Sequence, residues 1–343
     1  MSARTNELVG ALPRVRLAQL PTPLEPLHAL SAALGGPTIY IKRDDCTGLA
    51  MGGNKTRKLE FLLAQAVAAG ADTIVTVGGA QSNHARQTAA AAAKLGLGCV
   101  LLLRQNVQPD DSSFLRSGNI LLDRLLHAEV HILRPGEDPA EAQKRVEADL
   151  HAAGRKPFFI PVGGATPVGC LGYVAAAAEI LDQAEQAGVS FDCLVHATGS
   201  GSTQAGLLVG LRALADSTAV LGFTVHLERR EQEDLVWELA NATSDLLGTA
   251  SRPRRTDVVA DGGYYGGVYG IVQDSSIAAL QLMARTEGIL LDPIYSGVAL
   301  AGLIDRIRKG RFGPADSVLF LHTGGTPGLF GYVDRLSGAL TAA

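Results

Sequence analysis

From residue 73 to residue 321 the chain repeats one unit: a short apolar run, a turn rich in glycine or hydroxyl side chains, and a longer helical stretch. Thr73-Ile74-Val75-Thr76-Val77 leads into Gly78-Gly79-Ala80-Gln81-Ser82-Asn83 and then an alanine-rich stretch that stops at Gly96. Apolar runs at 99–103, 130–133 and 158–160 follow, with helical stretches at 121–126 and 141–153. Such alternation builds parallel βαβ units whose helices cover the sheet. Gly163-Gly164-Ala165-Thr166-Pro167 interrupts the rhythm, and a second series begins. It comprises helices at 172–187, 204–215, 231–248, 276–287 and 296–309, with strands at 194–197, 220–227 and 317–321. Ahead of both series lie a proline-extended segment at 20–24, a helix at 27–34, a strand at 38–42 and a helix at 55–69. At 343 residues the chain exceeds the size at which one core stops growing, so two lobes are expected, divided at 163–167.

Charge and cysteine usage remove several classes of function. With 34 acidic and 30 basic residues the net charge is −4, and a nucleic-acid partner would need a basic footprint. Cys46, Cys99, Cys170 and Cys193 are widely spaced, which fits neither a disulfide framework nor a zinc site. No metal cluster is expected, no apolar run spans a bilayer, and the N-terminus carries no secretory pattern. A cytoplasmic protein without a membrane partner is the expectation.

Three turns between a strand and a helix are candidates for chemistry, together with one lysine. Gly52-Gly53-Asn54-Lys55-Thr56-Arg57-Lys58-Leu59-Glu60 puts a lysine behind two glycines at a helix start. The glycines permit close backbone approach, and the positive end of the helix dipole slightly favours a neutral amine, which covalent amine chemistry requires. A basic first turn of a surface helix is the plain alternative. Thr198-Gly199-Ser200-Gly201-Ser202-Thr203 offers N–H groups and hydroxyls at a helix start, a phosphate-binding arrangement. It lacks a P-loop ending. A dinucleotide fold stays open, because Gly199-x-Gly201 follows a strand and Glu228 lies near the end of the next, but Gln204 occupies the third fingerprint position. The turn at 79–87 presents Ser82, Asn83 and His84, as helix caps or as ligands of a carboxylate or a cofactor oxygen. The turn His322-Thr323-Gly324-Gly325 and the pair Tyr295-Ser296 are placed to line the same cleft.

Taken in order, Lys42-Arg43-Asp44-Asp45, the Lys55 nonamer, Gln81-Ser82-Asn83-His84-Ala85-Arg86-Gln87, Gly199-Ser200-Gly201-Ser202-Thr203, Leu291-Asp292-Pro293-Ile294-Tyr295 and His322-Thr323-Gly324-Gly325 resemble the D-cysteine desulfhydrase group. That group is related to 1-aminocyclopropane-1-carboxylate deaminase and includes L-cysteate sulfo-lyase. The resemblance implies an α/β fold of the two-lobed fold type II pyridoxal phosphate enzymes, each lobe a mostly parallel twisted sheet flanked by helices. Residues 1–62 with 165–343 would form the larger, cofactor-binding lobe and 63–164 the smaller. It further implies a homodimer, pyridoxal 5'-phosphate as cofactor and a small amino acid as substrate.

Residue by residue, the resemblance makes Lys55 the lysine that holds the cofactor and Lys58 a residue near its phosphate. Ser200, Gly201, Ser202 and Thr203 match the phosphate cup. Asn83 matches the amide beside the ring hydroxyl, and Ser82 a hydroxyl on the substrate side that assists proton transfer, with His84 next to it. Tyr295 and Tyr269 match tyrosines that face the substrate. Ser296 and Thr323 stand where the deaminases carry glutamate and leucine, so the carboxylate that would protonate the cofactor's ring nitrogen is missing and deaminase activity is disfavoured. Within the sulfur lyases, 45–49 and 196–200 look like the cysteate branch and 50–53 and 161–164 like the D-cysteine branch. The expected reaction is β-elimination from D-cysteine, giving pyruvate, ammonia and hydrogen sulfide; L-cysteate, releasing sulfite, is the alternative. A nicotinamide-dependent oxidoreductase and an amino-acid sensor without turnover are the readings outside this class.

Overall fold

The strand-forming runs pair into two separate sheets. The computed structural model describes residues 2–105 and 113–341. Its strands, in chain order, are β1 (Leu24–Pro26), β2 (Thr38–Arg43), β3 (Thr73–Gly79), β4 (Gly98–Arg104), β5 (Glu129–Leu133), β6 (Pro157–Ile160), β7 (Cys193–Thr198), β8 (Ala219–Thr224), β9 (Val259–Asp261) and β10 (Ser317–His322). The helices are α1 (Ala3–Val9), α2 (His28–Leu34), α3 (Lys55–Ala68), α4 (Asn83–Lys94), α5 (Asn119–Leu125), α6 (Pro139–Ala152), α7 (Pro167–Ala187), α8 (Ser202–Ala213), α9 (Arg229–Leu247), α10 (Asp274–Glu287), α11 (Ser296–Arg308) and α12 (Val333–Thr341).

The larger sheet runs β1-β2-β10-β7-β8-β9 and the smaller β5-β4-β3-β6. Every pairing is parallel except β1 with β2. Central strands of a parallel sheet are covered on both faces, and Ile74, Val75, Leu101 and Leu102 are accordingly buried although they point to alternate sides. Parallel register brings the carboxyl ends of the strands to one edge of each sheet: Gly79 lies beside Arg104, Thr198 beside Thr224, and His322 beside Arg43. That edge is where open α/β sheets bind ligands.

The element order follows the sequence expectation, with departures that have local causes. Helix α7 begins at Pro167 rather than at 172, because Thr166 Oγ1 accepts the N–H of Gly169 (3.0 Å) and proline suits the first helical position. Strand β8 ends at Thr224 rather than 227, so Val225 and His226 leave the sheet. Strands β1 and β9 are three residues long and helices α1 and α12 flank the repeating units, which left all four without a periodic signal. Among the described residues, no helix is long and apolar enough to cross a membrane.

Helix α7 is the element against which the site is built. An added Cβ at Gly172 would lie 2.5 Å from the backbone carbon of Arg57, so α7 touches the first turn of α3 backbone to backbone. One at Gly206 would lie 2.3 Å from the carbonyl of Cys170, and one at Gly210 2.8 Å from that of Val174, so α8 is seated equally closely. A buried ion network locks the same junction. Arg57 donates to both oxygens of Asp44 (2.8 and 2.8 Å) and to both of Glu179 on α7 (3.0 and 2.8 Å). Lys42 on β2 donates to Glu179 (2.6 Å), and Tyr173 on α7 donates to Asp44 (2.5 Å). Two cations thus face two carboxylates out of water, and every charge has a partner.

Burial would raise the Glu179 carboxyl, but Arg57 and Lys42 outweigh it and hold it at about 2 instead of 4.5. The stabilisation is therefore complete above pH 4.5 and is lost as pH falls through 2. Glu179→Gln should destabilise the protein by about 3–5 kcal/mol at neutral pH, read by urea unfolding, because it leaves a buried cation uncompensated. The gap between variant and wild type should shrink as pH falls from 4.5 toward 2.

Candidate active site

The loop between β2 and α3 delivers Lys55 through a conformation that ordinary residues avoid. Ala50 and Met51 have φ of 43° and 67°, and Gly52 and Gly53 follow at 68° and 128°. Strain of this sort persists only where the surroundings over-determine it, and here they do. Gly53 N donates to the carbonyl of Asp44 (3.0 Å) and to Thr47 Oγ1 (2.7 Å), Arg86 donates to the carbonyls of Ala50 and Gly52, and Asn54 N donates to the carbonyl of Thr323 (2.9 Å). A Cβ on Gly52 would stand 1.9 Å from the carbonyl of Asp45, so no side chain fits there. Lys55 is the first residue of α3 and lines a cavity of about 320 Å³ at the carboxyl edges of the two sheets.

Burial lowers the Lys55 ammonium to about 8, from 10.5. That shift comes chiefly from loss of water around the charge. One helical turn on, Lys58 is fully buried and donates to Ser202 Oγ (2.7 Å), and burial, then the neighbouring Lys55, push it well below its ordinary value. Ser202 opens α8, and residues 199–203 wrap its N-terminus, with Gly201 in a positive-φ conformation (78°). Gly163 closes this cup from above: a Cβ on it would lie 2.4 Å from Ser200 Oγ and 3.5 Å from Lys55 Nζ. Backbone N–H groups, hydroxyls and a lysine converging at a helix start make an anion site. Ser200, Gly201 and Thr203 line the cavity, while Ser202 and Lys58 sit behind them, hydrogen-bonded to each other.

The turn before α4 places its three residues differently. Ser82 is the cap of α4, its Oγ accepting the N–H of Ala85 (3.2 Å), and it is buried behind the cavity wall. Asn83 lines the cavity, and its Oδ1 accepts from Asn119 Nδ2 (2.9 Å). His84 also lines it. Thr76 Oγ1 gives its proton to the carbonyl of Ile160 (2.6 Å) and so accepts from His84 Nε2 (2.9 Å), which leaves His84 Nδ1 a bare, unpartnered lone pair. Burial, then the charges of Lys55 and Lys58, keep this imidazole neutral.

Across the cavity, the Tyr269 and Tyr295 hydroxyls hydrogen-bond at 2.7 Å, and burial raises both phenols, so both stay protonated. Thr323 lines the cavity beside them. Ser296, expected there as well, does not line it: its Oγ donates to Asp292 Oδ1 (2.6 Å) and accepts from Asp292 N (2.9 Å), which ties it to the loop that starts α11. Two lining residues with basic side chains have no counterpart in the motifs. Arg104 ends β4 and His226 follows β8. The only sequence signal was a charged residue closing an apolar strand, and Arg104 carries it.

Comparison with known proteins bears on this site. The pyridoxal-phosphate dependent enzyme family matches residues 15–324. The chain is 45% identical over 327 residues to D-cysteine desulfhydrase of Serratia proteamaculans (strain 568), covering 95% of this chain and 98% of the relative. It is 46% identical over 325 residues to D-cysteine desulfhydrase of Yersinia enterocolitica, covering 94% and 97%. A crystal structure of an ACC deaminase homologue superposes with a TM-score of 0.88 at 39% identity, covering 99% of this chain and 100% of that one.

The lowered Lys55 value sets a measurable reactivity. A depressed amine pKa means that the neutral, nucleophilic form appears at lower pH. Competitive acetylation read by mass spectrometry should give Lys55 a midpoint near pH 8, below the 10.5 of an ordinary lysine amine. A Lys55 midpoint at 10 or above would contradict the desolvated site.

Proposed function

Because the chain belongs to the pyridoxal-phosphate dependent enzyme family, we propose that it is a D-cysteine desulfhydrase, a carbon–sulfur lyase that converts D-cysteine and water to pyruvate, ammonia and hydrogen sulfide. One observation carries the reading: a lysine whose amine is neutral above about pH 8 shares a cavity wall with an anion cup backed by a second lysine. The names of relatives at 45–46% identity support D-cysteine as the substrate.

The residues present fit pyridoxal phosphate. Residues 199–203 and Lys58 supply the donors a phosphate needs, and Lys55 supplies the amine for a carbonyl carbon. A Cβ on Gly163 would collide with Ser200, and one on Gly201 would crowd Leu239 and Leu235, so glycine at both positions keeps the shape of the cup. When bound, the cofactor supplies an electrophilic carbonyl for an amine and a ring that delocalises the electron pair left by a departing α-proton.

The chain's own residues then orient and move protons. Asn83 and the bare His84 Nδ1 orient polar groups along one wall. Lys55 Nζ, neutral once relieved of its proton, takes the proton from Cα. The paired Tyr269 and Tyr295 hydroxyls, both protonated, have a proton to give the departing sulfur, which leaves with the C–S electron pair. Ser82 keeps its own hydroxyl proton, since its oxygen only accepts from Ala85 N, and assists from behind the wall. Thr323, which lines the cavity, would offer the cofactor ring a neutral hydroxyl, and Ser296 acts by holding Asp292 and hence Tyr295, whose N–H donates to that carboxylate (2.8 Å).

The same proposal includes a division into lobes at 1–62 with 165–343 and at 63–164, a homodimeric assembly and a cytoplasmic location. The four cysteines are unpaired, in keeping with a reducing compartment.

The protein loaded with pyridoxal phosphate should release pyruvate and sulfide from D-cysteine, and Lys55→Ala should lower kcat by about 10²–10⁴-fold or more. Tyr295→Phe should lower it by a smaller factor, on the order of 10–100-fold. Absence of sulfide from D-cysteine would sink the assignment.

A further inference from the structure

Arg86 and Gln87 close the motif that begins at Gln81, are fully buried, and enter no step of the reaction proposed above. They stand on α4, the helix that carries Asn83 and His84 and packs on the smaller sheet. Lys55 comes from the other side, on a loop that follows β2 of the larger sheet. Both side chains cross to that loop. The Arg86 guanidinium donates to the carbonyls of Ala50 and Gly52 (3.0 Å to the second) and so brackets Met51. Gln87 Oε1 accepts the N–H of Thr56 (2.9 Å) and its hydroxyl (3.0 Å), immediately after Lys55. Gly53 makes room for it, since a Cβ there would lie 2.5 Å from Gln87 Nε2. The same Nε2 donates to the carbonyl of Asn83 (2.9 Å), so one amide joins the Asn83 turn to the first turn of α3.

What Arg86 holds is a strained path. Ala50 and Met51 have positive φ without being glycine, a conformation that persists only where its surroundings stabilise it. Met51 is 52% exposed, so packing of its own side chain does not supply the stabilisation. The carbonyls on either side of it do, because they share one planar, rigid fork of donors. Among the described residues, Arg86 makes no salt bridge. The carboxyl whose charge bears on it is that of Asp123 on α5, which is fully buried. Burial, opposed by Arg86 and Arg124, raises that carboxyl to about 8, so near neutrality it keeps its proton. Gln87 meets a different need: the first N–H groups of a helix lack intrahelical partners, and that of Thr56 finds one on α4.

We propose that Arg86 and Gln87 are positioning residues that clamp Lys55 from both sides and fix its amine relative to Asn83 and His84. The inference rests on the function proposed above, in which Lys55 and the wall at 83–84 serve one cofactor and one substrate. Neither side chain lines the cavity; both act through the loop. Such a clamp governs the chemical step more than affinity, because misplacing a reacting group by about 1 Å costs about 10²-fold in rate.

The first measurement uses the protein before cofactor is added. Competitive acetylation should move the Lys55 midpoint up from about 8 toward 10.5 in Arg86→Met, because a loosened loop admits water to the amine. In the cofactor-loaded protein, Arg86→Met and Gln87→Leu should each lower kcat for D-cysteine by about 10–100-fold, with KM changed by less than about threefold. Arg86→Lys should recover part of the loss, because it restores the charge without the fork. The decisive comparison relieves the strain instead. Ala50→Gly/Met51→Gly should change wild type by less than about threefold, yet raise the kcat of Arg86→Met by about fivefold or more, because glycine adopts positive φ freely. Asp123→Asn should stay within about threefold of wild type near neutral pH. Should Arg86→Met fail to fold, Arg86→Lys with and without the two glycines carries the same comparison.

A loss of kcat that glycines at 50 and 51 leave unrelieved would overturn the proposal, since Arg86 would then serve the core. So would a rise in KM at unchanged kcat, or an equal loss in Asp123→Asn, which would make Arg86 the partner of a buried charge. An unmoved Lys55 midpoint in Arg86→Met would overturn it as well. If wild type turns over no D-cysteine, the shift of the Lys55 midpoint and its reversal by the two glycines still decide the clamp, and only the desulfhydrase assignment falls.

Discussion

The contact on which the site depends is the backbone-to-backbone seating of α7 between α3 and α8, made possible by Gly172 and Gly206. A Cβ at these positions would stand 2.5 and 2.3 Å from facing backbone, so any side chain there would force the helices apart. Lys55 and Lys58 lie in the first turn of α3, and Ser202 and Thr203 in the first turn of α8. Their spacing sets whether Lys58 can reach Ser202 and whether Gly163 can close over Ser200. The Arg57, Asp44, Glu179 and Lys42 network fixes the rotation of α3 that the glycines leave undetermined. A hydrophobic contact would allow the helix to slide, whereas bidentate charge pairs resist it because each displacement leaves a buried charge unmatched.

Electrostatics inside the cavity follow from the same architecture. Parallel strands end at one edge, so turns from both sheets contribute side chains to one space, and the residues they supply are amides, hydroxyls and bases. Among the described residues, no carboxylate lines the cavity, which favours an anionic ligand over a cationic one. Burial keeps the amine of Lys55 within reach of neutrality, and His84 and the tyrosine pair stay uncharged. Ser296 shows how a neighbouring loop can claim a side chain: Asp292 takes its hydroxyl and three consecutive backbone N–H groups, those of Ile294, Tyr295 and Ser296. Ser296 therefore bears on the cavity through the seat of Tyr295 rather than through a direct contact with it.

Much of this was legible in the chain. Alternating runs announced the parallel sheets, and the glycines at 52–53 and 199–201 marked both the lysine loop and the anion cup. The elements that escaped detection were three-residue edge strands and short terminal helices, which are too brief to show a period. Ser82 was read correctly as a helix start, but a capping hydroxyl and a catalytic one look the same in sequence, because both require a small polar residue before a helix. Arg104 escaped for a different reason. A charged residue at a strand end is ordinary, and what sets Arg104 apart is that among the described residues it pairs with no carboxylate.

Local chemistry, then, determined which segments are strands, which turns bend with positive φ and which residues can carry an amine or cradle an anion. These depend on neighbours a few positions away. Tertiary structure alone decided that Lys55 and Lys58 lose their hydration, that Ser296 turns to Asp292, and that Arg104 lines the cavity with no carboxylate of the described residues paired to it. Desolvation and charge pairing are sums over atoms brought together from distant parts of the chain, from Asp44 to Glu179 and from Gly79 to Tyr269, and no local pattern encodes such a sum.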